Sequence, residues 1–532
     1  MLAIGLDFGT LSVRALAVDT QSGAILATAV APYAHGVIDQ RLPEGDVPLG
    51  PEWALQSPSD WLNSMAAAVR DVVAALDNPA QVVGLGIDFT SCTVLPVRQE
   101  GLPLCQIPEM ARTPHAWPKL WKHHAAQPQA TRITELAAER SEKWLPRYGG
   151  VISSEWLLPK ALQILEEAPD VYTKADLIVE GGDWVAWQLT GHFVRNACAA
   201  GFKGLWHKVE GYPSEDYLRA LNPDFADFYS TRGAGEIAPP GDIVGTLTAE
   251  WAERLGLRPD VKVAVGIIDA HAGAIGGGVA GDGMMYMAMG TSTCHMLVAS
   301  REVHAEGISG VVEDGILPGW FGYEAGQVAV GDIFNWYTQH VGLSHDDLTA
   351  KASTLRPGES GLLALDWWNG CRTPLVDAEL SGVVLGYNLQ TPPEAVYRAL
   401  IEATAFGTQL IVEAFADAGL PTRVLRAGGG LTKNDMLLGI YADVTGLPLE
   451  ISATEHASAL GAAILGAVAG GAHATITDAI GAMVPPPSRT VRPQEAHQPT
   501  YQALYAEYRR LVDLFGRDPE SPLKRLRALR PS

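Results

Sequence analysis

The opening residues alternate apolar segments with short turns that contain Gly and Thr. The segments LAIGLDF, VRALAVD and AILATAV follow one another with few residues between them, a pattern that predicts a meander of three strands. Ser57 and Pro58 predict the N-cap and the first residue of a helix, and residues 82–89 predict a further strand. A capping box at residues 391–394 predicts a long helix that ends at Gly419. Because strands and helices alternate along the whole chain, we expect an α/β fold.

The opening pattern occurs a second time near the middle of the chain. Residues 4–19 and 281–300 each contain an apolar strand that runs into a Gly-Thr pair, a small polar turn and a second strand. This repetition favours a duplicated domain over coincidence. It predicts a domain boundary near residue 275, in the glycine-rich stretch 272–283. Those glycines could supply a hinge, and close helix packing is the alternative.

Composition and charge narrow the function classes. A chain of 532 residues is too long for one hydrophobic core. Its 38 basic and 60 acidic residues give a formal net charge of −22, which disfavours binding to nucleic acid or to an anionic membrane surface. The longest uncharged apolar stretch, residues 457–472, contains four glycines, and we expect a closely packed internal helix there and no membrane span. Five scattered cysteines and the absence of an apolar leader segment lead us to expect a cytoplasmic protein with reduced thiols.

Several common nucleotide and metal motifs are missing. No Gly-Lys pair occurs, so a Walker A loop is excluded. Residues 7–9 spell the DFG motif of protein kinases, but no Gly-rich loop and lysine precede them. A dinucleotide-binding Gly-x-Gly-x-x-Gly turn and a zinc-ligand spacing are also absent. The repeated Gly-Thr turn remains as the candidate for chemistry.

A Gly-Thr turn can bind an anion, because it presents backbone N–H groups and a hydroxyl in a tight bend. Asp7, at the end of the first strand, could hold a hydrated Mg²⁺, and Arg14 adds a positive charge one strand later. Taken alone, either turn is more typical of an ordinary β-hairpin with a surface acid. A third element favours anion binding: residues 424–446 predict a strand, a triple-glycine turn and a helix that starts near Asn434. Such a turn lets a phosphorylated ligand approach the backbone closely.

Taken in order, these motifs resemble the nucleotide-site elements of the FGGY carbohydrate kinases, which belong to the actin-like ATPase fold. The resemblance rests on residues 7–10 with Arg14, residues 290–292, residues 428–430 and residues 459–461, and it extends from residue 3 to about residue 470. It implies an α/β fold of two actin-like (ribonuclease H-like) domains related by duplication, with the active-site cleft between them. The implied domains are a sugar-binding kinase domain over residues 1–275, a nucleotide-binding kinase domain over residues 276–485, and a helical extension with a basic tail over residues 486–532.

Within this family, several segments resemble the members that phosphorylate L-ribulose in arabinose catabolism. These segments are GIDFTSCTVLPV, KLWKHHAA, AAGFKGLW, GIIDAHAGAIGG and LDWWNGCRTPLVDAELSGVVLGYNL. The resemblance implies transfer of the ATP γ-phosphoryl group to the terminal hydroxyl of a ketopentose, most closely L-ribulose. One position departs from the pattern: Ser91 stands where many such enzymes have Ala, and its hydroxyl could change the contacts to the sugar.

The resemblance also implies roles for the residues around the sugar. Asp269 is the catalytic base that takes the proton of the sugar hydroxyl, although by position alone it could be a helix N-cap. Lys203 and Glu324 bind sugar hydroxyls, against the alternatives of a solvated lysine and a loop acid. Trp121 offers an apolar face to the sugar, with core packing as the alternative. Ser91 completes the sugar-binding set.

The implied cofactors are ATP and Mg²⁺. Phosphate is bound by Thr10, Arg14, Gly290 and Thr291, the adenosine site is lined by Gly428, Gly429, Gly430 and Asn434, and Asp7 holds the metal. The implied partners are a small-molecule sugar and ATP, with a homodimer as a possible assembly. We expect no nucleic-acid and no membrane partner.

Three other functions are compatible with the motifs. A kinase for another pentulose or a pentitol, such as xylulose, would use the same chemistry. An actin-like switch ATPase or chaperone would carry a charged lid or substrate domain at the C-terminus, which the end of this chain does not resemble. A sugar sensor without turnover would be favoured if Asp7 or Asp269 were missing, and both are present. A sugar kinase is therefore the favoured function.

Overall fold

The computed structural model describes residues 1–529. Residues 530–532, where the predicted basic tail ends, lie outside the described residues. The strands are β1 (Leu2–Phe8), β2 (Ser12–Asp19), β3 (Ile25–Pro32), β4 (Val82–Phe89), β5 (Val94–Val97), β6 (Leu177–Glu180), β7 (Arg195–Asn196), β8 (Ile237–Ala238), β9 (Ile243–Thr246), β10 (Lys262–Ala264), β11 (Ile267–Ile268), β12 (Met284–Met289), β13 (Thr293–Ala299), β14 (Gly310–Glu313), β15 (Phe321–Gln327), β16 (Leu363–Leu365), β17 (Val383–Leu385), β18 (Val424–Gly428), β19 (Leu449–Ile451) and β20 (Arg489–Val491).

The helices alternate with these strands. They are α1 (Pro58–Ala74), α2 (Gln127–Glu139), α3 (Leu157–Glu167), α4 (Pro169–Lys174), α5 (Gly181–Thr190), α6 (Ala197–Phe202), α7 (Glu215–Leu221), α8 (Ala249–Leu255), α9 (Asp269–Gly276), α10 (Gly331–Val341), α11 (His345–Ala352), α12 (Pro393–Asp417), α13 (Asp435–Thr445), α14 (Ala457–Ala469), α15 (Ile476–Met483), α16 (Gln498–Val512) and α17 (Pro522–Ala528). The predicted α/β alternation is confirmed.

The described chain forms two compact units. The first comprises residues 1–280, 311–322 and 456–485, and the second comprises residues 281–310, 323–455 and those that follow 485. Both units therefore contain segments that are distant in sequence. The sequence-based division at residues 275 and 485 follows the chain linearly, and it stays a prediction.

The sheet of the first unit has the strand order β3-β2-β1-β4-β10-β9, and β11 also pairs with β4. Strands β1, β2 and β3 form the predicted antiparallel meander. Strands β4, β10 and β11 run parallel to β1 or to each other. Because the carboxyl ends of parallel strands meet at one edge of a sheet, the residues that follow β1, β4 and β11 emerge at the same edge.

The second unit repeats this arrangement. Strands β15, β13, β12, β18, β19 and β20 lie side by side in this order. Strand β12 pairs with β13 antiparallel and with β18 parallel, and β18 pairs with β19 parallel. The series β13-β12-β18-β19 thus has the same strand directions as β2-β1-β4-β10 in the first unit, as a duplicated α/β domain requires.

Helix α14 lies directly against the sheet of the first unit. A Cβ atom added to Gly86 of β4 would lie 1.7 Å from the carbonyl oxygen of Ala462, and one added to Gly84 would lie 1.9 Å from that of Gly466. Only glycine permits backbones to approach so closely. The predicted internal helix is confirmed. The same close approach occurs at Gly276, whose Cβ would lie 1.9 Å from the oxygen of Ala457, so close packing explains this member of the glycine-rich stretch.

The long helix α12 begins later than its capping box predicts. Its N-cap is Pro392, and no side chain caps it. The hydroxyl of Thr391 instead accepts a hydrogen bond from the Asn388 N–H at 3.0 Å. The predicted capping box is therefore wrong, because Pro392 precedes another proline and is held in an extended conformation. Among residues 1–529, α12 is the one helix long and apolar enough to cross a membrane, and 72% of its most apolar window is buried inside the protein.

Acid is expected to destabilise the core of the second unit through His295. This residue is fully buried, and its Nε2 lies 3.2 Å from the Thr408 hydroxyl. Burial lowers the pKa of His295 from 6.5 to about 3. Because the unfolded chain takes up this proton first, stability is present above pH 6.5 and falls by about 1.4 kcal/mol per pH unit below it. The thermal midpoint should therefore fall less between pH 7 and pH 5 in His295→Gln than in the wild type. An identical fall would contradict this assignment.

Candidate active site

Three carboxylates lie at the carboxyl edge of the first sheet. Asp7 on β1 and Asp88 on β4 are register partners in the parallel pairing of these strands. Strand β11 pairs with β4 so that Ile267 lies opposite Asp88, and Asp269 follows directly as the first residue of α9. The sheet topology therefore places Asp7 and Asp88 on adjacent strands, and Asp269 directly after the next strand, β11, at the same edge.

Asp88 is the residue that sequence reasoning missed. Its side chain is fully buried, and neither of its carboxyl oxygens has a hydrogen-bond partner. Burial, followed by the charges of Asp7 and Asp269, raises the pKa of Asp88 well above its usual range. A signal was present in the sequence, because GIDFT at the end of β4 repeats the GLDFGT of β1.

The first Gly-Thr turn is closed by a backbone hydrogen bond from the Gly9 N–H to the Ser12 oxygen, at 3.0 Å. Arg14, which is paired with Asp7 across the hairpin, donates from Nη1 to the Asp7 carboxylate at 2.9 Å. The positive charge predicted beside the turn, that of Arg14, therefore forms an ion pair with Asp7. The buried Nε of Arg14 has no hydrogen-bond partner among the residues that the structure describes.

Trp121 contacts this turn. Its indole N–H donates to the Thr10 hydroxyl at 3.1 Å, and the Gln56 amide donates to the Thr10 carbonyl at 2.7 Å. Trp121 is only half-buried, so it is not a core residue. Trp121, which is predicted to bind the sugar, thus contacts Thr10, which is predicted to bind phosphate.

The loop that follows β4 lies beside the end of β1, since the Thr90 N–H donates to the Phe8 carbonyl at 3.1 Å. Ser91 is half-buried in this loop, with its hydroxyl 3.0 Å from the Cys92 sulfur. Cys92 adopts a left-handed backbone conformation with φ of +58°, which is uncommon for a residue other than glycine. The loop therefore has a defined shape.

Lys203 interacts electrostatically with Cys92 of the same loop. It is the C-cap residue of α6 and is only 5% exposed, so it is not a solvated surface lysine. Its Nζ lies 5.6 Å from the centre of the Trp156 ring. Burial raises the pKa of the Cys92 thiol to about 12, and the charge of Lys203 acts in the opposite direction. Lys203 and Cys92, the residue after Ser91, are therefore close enough to interact electrostatically.

Asp269 lies where an acid was predicted, at the junction of a strand and a helix. The N-cap of α9 is Ile268, and Asp269 is the first helical residue. One carboxyl oxygen, Oδ1, accepts the N–H of Ala270 at 2.7 Å. The side chain is half-buried. Asp269 is thus not the N-cap, and its role as a base stays a prediction.

The second Gly-Thr turn contacts the start of α10. The Gly290 N–H donates to the Ser292 oxygen at 2.9 Å and closes the turn. The Thr291 carbonyl accepts the N–H of Val330 at 2.8 Å, and the Gly290 carbonyl accepts that of Gly331 at 3.1 Å. The carbonyls of the turn are thereby occupied, and the exposed Thr291 side chain is presented to solvent.

The triple-glycine turn follows β18, next to the end of β12. Gly428 is the register partner of Ala288. Gly429 has a φ of +104°, and a Cβ there would lie 2.4 Å from the Met289 oxygen, whereas a Cβ on Gly430 would meet nothing within 4 Å. Glycine is therefore required at Gly429, while the backbone of Gly430 borders open space. The Gly-Thr and triple-glycine turns leave adjacent parallel strands at the same edge.

Asn434 and Glu324 complete the predicted set in the second unit. Asn434 is the N-cap of α13: its oxygen accepts the Leu437 N–H at 3.1 Å, and its amide donates to the Thr349 hydroxyl at 3.3 Å. Glu324 lies on β15, is 6% exposed, and accepts the Ser309 N–H with its carbonyl at 2.7 Å. Glu324 is thus a buried strand residue, not a loop acid, and it belongs to a different unit from Ser91, Trp121 and Lys203.

The donors of the first unit fit a magnesium ion that is bound mainly through water and phosphate. The part of the chain that the structure describes contains no cluster of three or more metal-ligating side chains. Such a cluster is not needed, because Mg²⁺ in nucleotide sites takes one or two carboxylates and keeps several waters. Asp7 can supply one such carboxylate at the end of β1. A cation held there would favour the ionised form of Asp88, whose pKa is otherwise raised well above its usual range.

This chain is similar to known proteins in both sequence and fold. Residues 2–276 match the N-terminal domain of the FGGY family of carbohydrate kinases, and residues 285–470 match its C-terminal domain. The ribulokinase of Shouchella clausii (strain KSM-K16) is 50% identical, with 99% of this chain and 97% of that protein covered. The ribulokinase of Mycolicibacterium smegmatis is 47% identical, with 99% and 96% covered.

Solved structures agree on the fold. The crystal structure of xylulose kinase from Rhodospirillum rubrum matches with a TM-score of 0.81 and 22% identity, over 96% of this chain and 98% of that chain. At that identity the match shows the fold alone. The resemblance found in the sequence is confirmed by the domain matches and by relatives that are about half identical over nearly their whole length. This chain belongs to the FGGY family of carbohydrate kinases.

Proposed function

We propose that this chain transfers the γ-phosphoryl group of ATP to the terminal hydroxyl of L-ribulose and forms L-ribulose 5-phosphate. The observation that supports the proposal lies at the edge of the first sheet where its parallel strands end. Asp7 and Asp88 lie there on adjacent strands, and Asp269 directly follows the next strand, β11. The names of the relatives that are about 50% identical support L-ribulose as the acceptor.

In this proposal the first unit binds the sugar, and the role of Glu324 as a sugar ligand stays a prediction. Asp269 accepts the proton of the attacking hydroxyl, which makes that oxygen a better nucleophile as the new P–O bond forms. Lys203 donates to a sugar hydroxyl from its buried position, where the hydrogen bond is stronger than it would be in water. Trp121 offers its half-buried ring to the carbon face of the sugar.

In this proposal each Gly-Thr turn is a phosphate-binding element of its own unit. Thr10 and Thr291 present hydroxyls, Gly290 contributes its backbone, and Arg14 holds Asp7 in place while its charge offsets that of the phosphate. Asp7 would hold Mg²⁺, with Asp88 behind it. When bound, Mg²⁺ neutralises the charge that develops on the phosphate oxygens.

The nucleotide is bound in the second unit. The open backbone at Gly430 and the close approach at Gly429 leave room for a flat ligand against residues 428–430. Asn434 ends this segment and fixes the start of α13. The homodimer and the cytoplasmic location that the sequence suggests remain predictions.

The proposal is tested by ADP release from Mg-ATP with a panel of acceptors. The panel comprises L- and D-ribulose, L- and D-xylulose, ribitol, L-arabitol, glycerol and no sugar. We expect turnover to be highest with L-ribulose. A maximum with another pentulose would overturn the acceptor assignment, and hydrolysis that is indifferent to every sugar would favour the switch ATPase.

The two substrates are expected to respond to different substitutions. Lys203→Ala removes a sugar contact and should raise the KM for L-ribulose by at least about 10-fold with little change in the KM for ATP. Thr291→Ala removes a phosphate contact and should change the kinetic constants for ATP more than those for L-ribulose. Steady-state kinetics in both substrates check this split. Equal effects of both variants on both substrates would contradict it.

A further inference from the structure

Two lysines are buried beneath the loops that carry Ser91 and Trp121. Lys119 and Lys160 each have no exposed surface. A buried ammonium group is costly unless hydrogen bonds or counter-charges compensate it. Lys119 and Lys160 lie close enough to interact, since the charge of Lys160 contributes to lowering the pKa of Lys119. They differ, however, in what their ammonium groups contact.

Lys160 connects two separate loops by their backbones. From helix α3, its Nζ donates to the Cys92 carbonyl at 2.6 Å and to the Leu120 carbonyl at 2.9 Å, with the Lys119 carbonyl at 3.4 Å. An ammonium group has three N–H donors, so the three carbonyls match its full donor capacity. Burial lowers the pKa of Lys160 to about 8, while Cys92, Glu180 and Glu155 act in the opposite direction.

Both strongly bonded carbonyls are next to residues of the proposed sugar site. Cys92 follows Ser91, and Leu120 precedes Trp121. Cys92 has a left-handed backbone, a conformation that persists only where the surroundings hold it. Trp121 in turn reaches the Thr10 hydroxyl at 3.1 Å. A shift of either peptide would therefore move a side chain that faces the sugar or the phosphate turn.

We propose that Lys160 is a positioning residue that joins the Ser91 loop to the Trp121 loop and thereby sets the affinity and selectivity of the sugar site. It does not touch the substrate; it acts through the backbones of Cys92 and Leu120. The inference rests on the proposed function, because it assigns the sugar to these loops.

Lys119 provides a matched control. It is as deeply buried as Lys160, but its Nζ has no hydrogen-bond partner and lies 4.2 Å over the Trp53 ring. Replacement of either lysine by methionine removes a buried amino group and keeps a long apolar side chain. Only Lys160→Met also removes the hydrogen bonds between the loops.

The first measurement is steady-state kinetics of both variants. Lys160→Met should raise the KM for L-ribulose by about 10-fold to 100-fold, the range expected when a binding group is misplaced by about 1 Å. It should leave the KM for ATP within about 2-fold, and it should reduce the preference for L-ribulose over D-xylulose. Lys119→Met should leave that preference unchanged. Equal rises in both KM values, or an unchanged KM for L-ribulose, would overturn the proposal.

The second measurement reports the local stability of the two loops and does not depend on turnover. Amide hydrogen exchange over residues 91–93 and 120–122 should be faster in Lys160→Met than in the wild type and in Lys119→Met. Unchanged exchange would overturn the proposal even if the KM rises. If Lys160→Met does not fold, Lys160→Gln, which keeps two of the three N–H donors on a shorter side chain, replaces it, and smaller changes in the same directions are expected in both measurements. If the wild type phosphorylates no sugar, the proposed function fails, and hydrogen exchange still reports whether Lys160 holds the loops.

Discussion

Replacement of Asp269 by asparagine is expected to lower kcat by about 10²-fold to 10⁴-fold, the usual effect of losing a general base. Asparagine keeps an oxygen that can accept the Ala270 N–H at the start of α9, so the local structure should survive. It cannot take the proton of the sugar hydroxyl. Binding of ATP, measured by calorimetry without sugar, should therefore remain nearly unchanged.

A matched variant separates catalysis from helix stabilisation. Asp346 is an exposed acid in the first turn of α11. If Asp269 only stabilised the N-terminus of its helix, Asp269→Asn and Asp346→Asn would both cost at most about 1 kcal/mol of stability and would leave kcat alone. Wild-type turnover in Asp269→Asn would remove this residue from the mechanism.

Replacement of Gly86 by alanine is expected to reduce the free energy of unfolding by about 3 kcal/mol or more, the upper range for overpacking a core. The added methyl group would lie 1.7 Å from the Ala462 carbonyl, and backbone atoms cannot swing aside as a flexible side chain can. Strand β4 would have to move away from α14. Chemical denaturation measures the loss.

Gly481→Ala serves as the control for this substitution. Gly481 lies in α15 of the same unit, and a Cβ there would meet nothing within 4 Å. Alanine in a helix interior is more favourable than glycine by about 0.5–1 kcal/mol, so this variant should be neutral or slightly more stable. A Gly86→Ala protein as stable as the wild type would show that α14 is not packed against β4 as described.

The features predicted from the sequence are those that neighbouring residues determine. The meander of β1 to β3 follows from apolar segments separated by turn residues, and the internal helix α14 follows from an uncharged apolar stretch rich in glycine. The turn at Gly429 was predictable because only glycine adopts its φ of +104° without strain. Each signal lies within a few residues of the structure it specifies.

The missed features depend on pairing between distant segments. The strand that contains Asp88 was predicted, but its register beside Asp7 is a tertiary property. The contacts of Lys160 are also long-range, since its partners lie in two other segments of the chain. The assignment of residues 456–485 to the first unit depends on glycine contacts between α14 and β4. No local pattern reports these contacts.

The capping box failed for a different reason. The pattern of residues 391–394 is formally correct, but two consecutive prolines impose their own backbone geometry and delay the start of α12 to Pro393. The backbone constraint of the two prolines therefore prevents the capping box that the side chains would otherwise form.

The most direct test of the central claim is the identity of the phosphorylated product. Purified protein is incubated with Mg-ATP and L-ribulose, and phosphorus-31 NMR follows the fate of the γ-phosphoryl group. We expect a sugar phosphate monoester to appear in step with ADP, with L-ribulose 5-phosphate confirmed by mass spectrometry, and little inorganic phosphate. Release of inorganic phosphate at the same rate with and without L-ribulose, and no sugar phosphate, would contradict the account.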